Sequence, residues 1–177
     1  WDVAKDVELR TILAHDGQAY DVVFGPEGDL LYSSGEDGIA AAWDASTGDR
    51  INEFRGHVRS VRSIAVSPDG LTFATASDDK TFAIYDAVNT RRLYHIDYRN
   101  DFEYDTSRFV TIGFSGNGRL VAAADVAGNI FVLDCDSGEH SVLACAPDGV
   151  ADLGFLLNDK WLATADRGGT IQLHKLP

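Results

Sequence analysis

Apolar and polar residues follow one another along this chain in short segments, with turn-forming residues between them. Four apolar segments rich in small side chains are predicted to be strands: Asp29–Ser34, Leu71–Ala76, Arg119–Ala124 and Lys160–Ala165. The tetrapeptides at their starts are Gly25-Pro-Glu-Gly28, Ser67-Pro-Asp-Gly70, Ser115-Gly-Asn-Gly118 and Leu157-Asn-Asp-Lys160. Proline presets φ at about −65° and glycine accepts a positive φ, as a hairpin turn requires. The pattern therefore predicts hairpins of short strands and an all-β fold.

A dipeptide that ends the strand after each hairpin turn repeats in phase with these segments. Its copies are spaced by 42, 42, 48 and 41 residues and read Trp1-Asp2, Trp43-Asp44, Tyr85-Asp86, Leu133-Asp134 and His174-Lys175. Each period has room for four short strands and their turns. A period of this length is typical of β-propellers, in which every repeat is one four-stranded blade. We therefore interpret the chain as four consecutive repeat units.

Polar residues at fixed places in the repeat resemble those of the WD-repeat family. They are Gly56-His57, Ser77, Asp79 and Tyr85 in unit two, and His15, Asp37 and Trp43 in unit one. The resemblance covers the whole chain, although Gly35 stands at the serine position of unit one with Ser34 beside it. It implies a WD-repeat β-propeller with four four-stranded blades. It also implies that these side chains form a hydrogen-bonded network, which satisfies buried polar groups and fixes the strand register.

Units three and four depart from this pattern. Unit three has Ala127 and Leu133 where the family has aspartate and tryptophan, and unit four has Gly168 and His174 there. We therefore expect complete polar networks in units one and two and degenerate repeats after them.

The phase of the repeat predicts the boundaries of the units. Residues 1–13 are assigned to the end of a preceding blade and a swapped outer strand around Glu8–Leu13, and the repeats to 14–55, 56–98, 99–145 and 146–177. The last repeat is expected to lack its own outer strand. Two interpretations stay open: the chain is part of a ring of about seven blades, or two copies exchange Glu8–Leu13 and close a ring together.

Two segments resemble the heterotrimeric G protein β subunit in particular. Thr72–Asp79 is similar to a hairpin of its fifth blade, and Phe114–Leu120 is similar to one of its sixth. The resemblance places the chain at the last four blades of that family. It implies a scaffold in signal transduction that binds α and γ subunits or effectors on the face around the propeller channel, where Asp78 matches an acidic contact.

Other aligned contact positions carry different residues. Acids are replaced by Gln18 and Ser60, a methionine by Tyr20, an asparagine by Arg62 and a tryptophan by Arg167. The partner-binding residues expected on this face are therefore Tyr20, Arg62, Asp78 and Arg167. Because most of them differ from the family, the alternative function is a WD-repeat adaptor or assembly factor, such as a ubiquitin-ligase substrate receptor.

The segment Asp97–Thr106 combines acidic and aromatic residues and accounts for most of the extra length of unit three. Tyr98, Phe102 and Tyr104 are candidate anchors for a protein partner, since aromatic rings bury a large area at small entropic cost. The competing interpretation is that the loop folds its own rings onto unit three. The sequence leaves both open.

Composition bears on the class of partner. The chain has 28 acidic and 15 basic residues and a formal net charge of −13, which disfavours nucleic acid and anionic lipid as direct partners. Cys135 and Cys145 have no CxxC spacing, and no apolar run approaches the length of a membrane span. We expect a cytoplasmic protein that reaches the inner face of the plasma membrane only through partners, without direct insertion into the bilayer.

No motif for chemistry emerges from the sequence. Asp134–Glu139 superficially resembles a calcium loop, but it stands where units one and two have hairpin turns. The five histidines lack the paired spacing of metal ligands, and neither cysteine has a histidine placed to activate it. The sequence therefore predicts a non-catalytic protein without a metal or cofactor, whose function is to bind other proteins.

Overall fold

The computed structural model describes residues 4–98, 108–146, 148–156 and 159–176, which form fifteen β-strands. In chain order these are β1 Ala19–Phe24, β2 Leu30–Gly35, β3 Ala40–Asp44, β4 Arg50–Phe54, β5 Val61–Val66, β6 Thr72–Ser77, β7 Thr81–Asp86, β8 Arg92–Asp97, β9 Phe109–Phe114, β10 Leu120–Asp125, β11 Asn129–Asp134, β12 His140–Cys145, β13 Val150–Leu156, β14 Trp161–Asp166 and β15 Ile171–Lys175. These residues include no helix with the length and hydropathy needed to cross a bilayer.

The strands form one antiparallel sheet per repeat unit. Units one to three are four-stranded, made of β1–β4, β5–β8 and β9–β12, and unit four is three-stranded, made of β13–β15. Neighbours in each sheet are consecutive in sequence, and the first strands of successive units contact one another. This is the arrangement of propeller blades, so the predicted WD-repeat propeller architecture is confirmed.

The turns between first and second strands have the geometry that their residues predict. Gly28 has a φ of 76° and donates its N–H to the Gly25 carbonyl oxygen at 3.0 Å. In unit two Gly70 has a φ of 71° and donates to Ser67 at 2.9 Å. The second strands begin one residue later than predicted, because the last turn residue precedes the ladder.

Aromatic rings fill the space between units one and two. The Phe73 ring of unit two is fully buried, with its centroid 4.3 Å from that of Phe54 and 5.4 Å from that of Tyr32, both in unit one. On its other side it stacks on Tyr85 at 5.2 Å. Every ring here comes from the sheet face that points at the neighbouring unit, so burial depends on the packing of two sheets.

A second aromatic cluster lies between units two and three, and it includes Tyr98. The Tyr98 side chain is 8% exposed, and its centroid lies 4.2 Å from that of Phe131 and 6.3 Å from that of Phe109. The prediction that Tyr98 is a surface anchor for a partner is therefore wrong. The backbone holds the ring in this place, since Tyr98 N donates to Lys80 O at 3.2 Å.

Units three and four pack through small and aliphatic side chains. Ala122, Ile130 and Leu162 are fully buried in this cluster. A polar contact links the same two units, because the Asp159 carboxylate accepts hydrogen bonds from Gly116 N at 2.6 Å and Asn117 N at 2.9 Å. Asp159 belongs to the glycine-free turn of unit four, so its side chain links that turn to the turn of unit three.

The prediction of a strand at Glu8–Leu13 is not met in this structure. Residues 8–14 have no regular secondary structure, and Leu9 and Leu13 are 67% and 95% exposed. A strand needs the hydrogen-bonding edge of another strand, and the described sheets include no strand from this segment.

We expect Phe73→Ala to lower the free energy of unfolding by about 3–5 kcal/mol, because it leaves a cavity among buried rings. Phe24→Ala, which removes the same atoms from a side chain that is 60% exposed, is expected to cost less than about 0.5 kcal/mol. Urea unfolding followed by tryptophan fluorescence measures both values. Equal losses for the two variants would contradict the packing between units one and two.

Candidate functional site

We call the end of the units where first strands begin and second strands end the top face. There the residue after each second strand donates its backbone N–H to a carbonyl oxygen just before the first strand of its unit. The four bonds are Glu36 to Gln18 at 2.8 Å, Asp78 to Ser60 at 2.9 Å, Val126 to Arg108 at 3.0 Å and Arg167 to Gly149 at 3.1 Å. The same bond in every unit places equivalent side chains side by side around this face.

A polar network lies beneath the top face of unit one. His15 is 8% exposed, with Nε2 2.8 Å from Ser33 Oγ and Nδ1 3.1 Å from each carboxylate oxygen of Asp37. Trp43 Nε1 donates to Ser33 Oγ at 2.9 Å. The residue of the second strand that joins the network is therefore Ser33, not Ser34 or Gly35. Together these contacts connect the segment before β1 to β2, β3 and the turn between them.

Unit two builds the same network with different side chains. His57 Nε2 lies 2.8 Å from Thr75 Oγ1, and its Nδ1 lies 3.1 Å from Asp79 Oδ2. The expectation of Ser77 at the histidine is therefore wrong, since Ser77 Oγ donates to Arg59 O at 3.3 Å. Residues two apart in a strand point to the same face, so Thr75 and Ser77 are on the same side of β6. The imidazole contacts Thr75, which is the farther of the two from the top face. Tyr85, at the tryptophan position, is buried on that sheet.

The contacts of His15 with Ser33 and Asp37 superficially resemble the triad of a serine hydrolase. Ser33 is only 5% exposed, and its oxygen is also engaged by the Trp43 indole N–H. Because a nucleophile must reach its substrate, a hydroxyl held between two strands in this way is unsuited to catalysis. The network is therefore a cross-link of strands.

The groups around Asp79 in unit two favour the ionised form of its carboxyl group. Burial alone would raise the pKa of Asp79, but hydrogen bonds from His57, Thr81 and the Val58 N–H outweigh it and hold this pKa far below its usual range. Thr81 Oγ1 donates to Asp79 Oδ1 at 2.6 Å, and Val58 N donates to Oδ2 at 3.0 Å. The carboxylate thus stabilises the top face as an anion.

Units three and four replace this network. In unit three Asp125 accepts hydrogen bonds from Asn129 Nδ2 at 2.8 Å and from its backbone N–H at 2.8 Å, and burial raises the pKa of Asp125. In unit four Thr164 Oγ1 lies 3.0 Å from His174 Nε2. Thr164 and His174 occupy the places of Ser33 and Trp43, so one contact of the network persists there.

Three of the predicted partner-binding residues meet at the top face. The Arg62 guanidinium lies over the Tyr20 ring, 4.1 Å from its centroid, and donates from Nε at 2.8 Å and Nη2 at 2.6 Å to Asp78 Oδ2. Arg108 Nε of unit three lies 3.8 Å from Asp78 Oδ1. We call Tyr20, Arg62, Asp78 and Arg108 the top-face cluster. It spans three consecutive units.

The top-face cluster carries two guanidinium groups and one carboxylate. The hydrogen bond to Asp78 raises the pKa of Arg62, so this side chain stays fully charged. The Asp78 side chain is 13% exposed, whereas that of Arg108 is 49% exposed. Solvent and any partner therefore meet the arginines and the rim of the Tyr20 ring before they meet the carboxylate.

The repeats of units one and two match a known protein family. The profile described as "WD domain, G-beta repeat" matches residues 6–44 and 48–86, which include both histidine networks. Residues 6–44 and 48–86 are therefore WD40 repeats. Units three and four have the same sheet topology, although the matched residues end in unit two.

The chain is also similar to curated proteins of two kinds. Eukaryotic translation initiation factor 3 subunit I of Aspergillus oryzae is 25% identical over 92% of this chain and 51% of its own length. The same subunit from Coccidioides immitis is 28% identical over 92% of this chain and 52% of its own length. Protein HIR1 of Candida albicans is 31% identical over 64% of this chain and 12% of its own length. The chain thus spans about half the length of the translation factor subunits.

These relatives correct the narrower resemblance to the G protein β subunit. They are named as a translation initiation factor subunit and as HIR1, so the supported likeness is to these proteins and not to the G protein β subunit in particular. Contacts within the WD40 repeats also argue against the resemblance to the G protein β subunit. Asp78, which matched an acidic contact of the G protein family, is paired with Arg62 in this chain.

The predicted partner residue Arg167 and the aligned positions Gln18 and Ser60 are spread over the top face. Gln18 and Arg167 are exposed, and Ser60 Oγ donates to Glu36 O at 3.4 Å. Arg167 follows β14, two units away from Asp78, and is not in the top-face cluster. Phe102 and Tyr104 lie outside the described residues.

Three site residues escaped the sequence analysis: Ser33, Thr75 and Arg108. Ser33 and Thr75 are 42 residues apart at the fourth position of β2 and β6, and Thr164 has that position in β14. A hydroxyl recurring at one strand position was therefore a readable signal. Arg108 gave none, because it follows the loop whose length differs from the other units.

We expect Asp79→Asn to lower the free energy of unfolding at neutral pH by about 1–3 kcal/mol. The folded-state pKa of Asp79 is depressed below the unfolded value of about 3.9, so its stabilisation is present above that pH and lost as the pH falls. The variant should therefore lose less stability than the wild type on acidification. Urea unfolding between about pH 7 and pH 3 measures this.

The control for this measurement is Asp49→Asn, which changes an exposed carboxylate in the turn before β4. It is expected to leave both the stability and its pH dependence close to those of the wild type. An Asp79→Asn variant with the acid sensitivity of the wild type would show that this carboxylate does not stabilise the fold as an anion.

Proposed function

We propose that this chain is a non-catalytic scaffold that binds other proteins through its top face, as an adaptor within a multiprotein assembly. The observation that carries the proposal is the top-face cluster, which three units build together. The translation initiation factor relatives are named as a subunit of a factor, which supports a role in an assembly. We also propose a cytoplasmic location.

The top-face cluster has the physical properties of an interaction hot spot. Arginine and tyrosine are enriched among residues that dominate binding energy. Arg62 is held by stacking on Tyr20 and by two hydrogen bonds to Asp78, so it loses little conformational freedom when a partner binds. Arg108 is half exposed and has N–H donors available for a partner carboxylate or carbonyl oxygen.

A signalling scaffold that binds G protein α and γ subunits is the weaker proposal. That function would use acidic contacts on the top face, where this chain has Gln18 and Ser60. Its one matching acid, Asp78, is neutralised by Arg62 and largely covered. A partner surface that is complementary to acids would therefore meet arginines here, which repel basic groups.

An affinity-tagged form of the chain, with cross-linking and quantitative mass spectrometry on a eukaryotic extract, tests this proposal. We expect the joint change Arg62→Gln and Arg108→Gln to reduce recovery of the co-purifying assembly by about tenfold or more, as loss of a hot spot does. Arg119→Gln is the matched control. Arg119 also binds one carboxylate oxygen twice, Asp134 Oδ2 at 2.9 and 2.7 Å, but at the opposite end of its unit.

Equal losses from the arginine pair and from Arg119→Gln would count against the top face as the binding surface. Recovery of a G protein α subunit that disappears with Asp78→Lys would instead favour the signalling function. Near-ultraviolet circular dichroism of each variant separates loss of binding from loss of fold.

A further inference from the structure

The top face of units two and three carries a basic surface on an acidic chain. Arg59, Arg62 and Arg108 supply guanidinium groups there, and Arg59 is exposed in the segment before β5. The carboxylates of Asp78 and Asp79 are largely turned away from solvent. The chain as a whole has a formal net charge of −13. Among the residues that the structure describes, positive charge is therefore presented to solvent where the top-face cluster lies.

Exposed acidic residues border this basic surface in units one and four. Asp16 and Glu36 are exposed at the top face of unit one, and Asp148 is exposed at the top face of unit four. The Glu36 carboxylate accepts a hydrogen bond from Gln18 N at 3.1 Å, which holds it on unit one. A long acidic tract that crossed several units would meet these carboxylates and be repelled by them. The surface therefore favours a short acidic segment over a long one.

The two arginines of the top-face cluster are held in different ways. Arg62 donates twice to Asp78 Oδ2 and stacks on Tyr20. The Arg108 side chain donates no hydrogen bond to any residue that the structure describes. Its Nε lies 3.8 Å from Asp78 Oδ1, which is longer than a hydrogen bond, and this oxygen is buried with no hydrogen-bond partner among the same residues. Charge alone therefore holds Arg108 near Asp78.

We propose that the top-face cluster binds a short acidic segment of a protein partner, which rests on the proposed function and adds the chemistry of that partner. One carboxylate of the segment is bound by Arg108 and a second lies against Arg62. A guanidinium group can hold a carboxylate through two parallel hydrogen bonds, and such charged bonds are roughly twice as strong as neutral ones. Arg108 has its donors available for this contact, and Arg62 has Nη1, since its bonds to Asp78 use Nε and Nη2.

Charge balance sets the number of carboxylates that the surface takes. The top-face cluster has two positive charges and one negative charge, and Arg59 adds a third positive charge. The adjacent dipeptide Asp79-Lys80 has no net charge. Two positive charges remain, and a pair of partner carboxylates neutralises them. A basic segment would be repelled by the same groups.

Selection from a library of random short peptides displayed on phage tests the chemistry of the partner. We expect closely spaced pairs of aspartate or glutamate to be enriched at least about threefold over the unselected library, because two carboxylates match two guanidinium groups. The joint variant Arg62→Gln and Arg108→Gln should lose this enrichment, whereas Arg119→Gln should retain it. Arg119 is the matched control, since it also donates twice to one carboxylate oxygen, at the opposite end of its unit.

Fluorescence anisotropy with a synthetic copy of the most enriched peptide measures the contact itself. We expect Arg108→Gln to weaken binding about tenfold or more, as loss of a charged hot-spot contact does. Added salt should weaken binding to the wild type, because exposed charges are screened. The acids of the peptide are also replaced by lysine, one at a time. One of the two resulting peptides should bind Arg108→Glu more tightly than it binds the wild type, since the reversed pair is again complementary.

The outcomes distinguish the acidic partner from the proposed function. Enrichment of apolar or basic peptides that disappears in the joint arginine variant would leave the top face as the binding surface and overturn the acidic partner. Acidic enrichment that the joint variant retains would overturn both. The absence of enriched acidic pairs, or tighter binding of poly-glutamate than of the selected peptide, would overturn the short acidic segment. Near-ultraviolet circular dichroism of each variant confirms that it is folded.

Discussion

Apolar side chains on both faces of each small sheet dominate this structure, because those faces leave water only by packing against the sheets of neighbouring units. In unit two, Phe73 and Tyr85 face unit one, whereas Phe82 faces unit three. A unit taken alone would expose these rings. Stability therefore depends on the stacking of units. The loss of one inter-unit contact destabilises both of the units that share it.

Stacking of the sheets also creates the candidate site. It brings the first strands of successive units next to one another, so that side chains more than forty residues apart in sequence become neighbours. Tyr20, Arg62 and Arg108 come from three different units and meet around Asp78. A surface made in this way is rigid, since each residue is anchored in its own sheet. Rigidity reduces the entropy lost when a partner binds.

The turns of the top face need polar partners, and the units meet this need differently. Units one and two use a histidine between a hydroxyl and an aspartate. Unit three binds its turn through Asp125 and Asn129, and unit four keeps a contact between Thr164 and His174. These repeats are degenerate in sequence, yet each keeps side-chain hydrogen bonds near its top face. This explains how the sheet topology persists where the WD40 motif does not.

The sequence by itself determined the local features of this protein. Glycines such as Gly28 and Gly70 require turns that start hairpins, and the spacing of Trp43 and Tyr85 reveals the repeat. Such features depend on residues close together in the chain, and the four units and their strands followed from them.

Only the tertiary structure decided which side chains meet. It placed Thr75 rather than Ser77 against His57, and it turned Tyr98 into the core between units two and three. It also joined Arg108 to Asp78, and it left Glu8–Leu13 without a sheet to pair with. Each outcome depends on the position of a neighbouring strand or unit far away in sequence. Local patterns cannot specify such positions, because packing between sheets sets them.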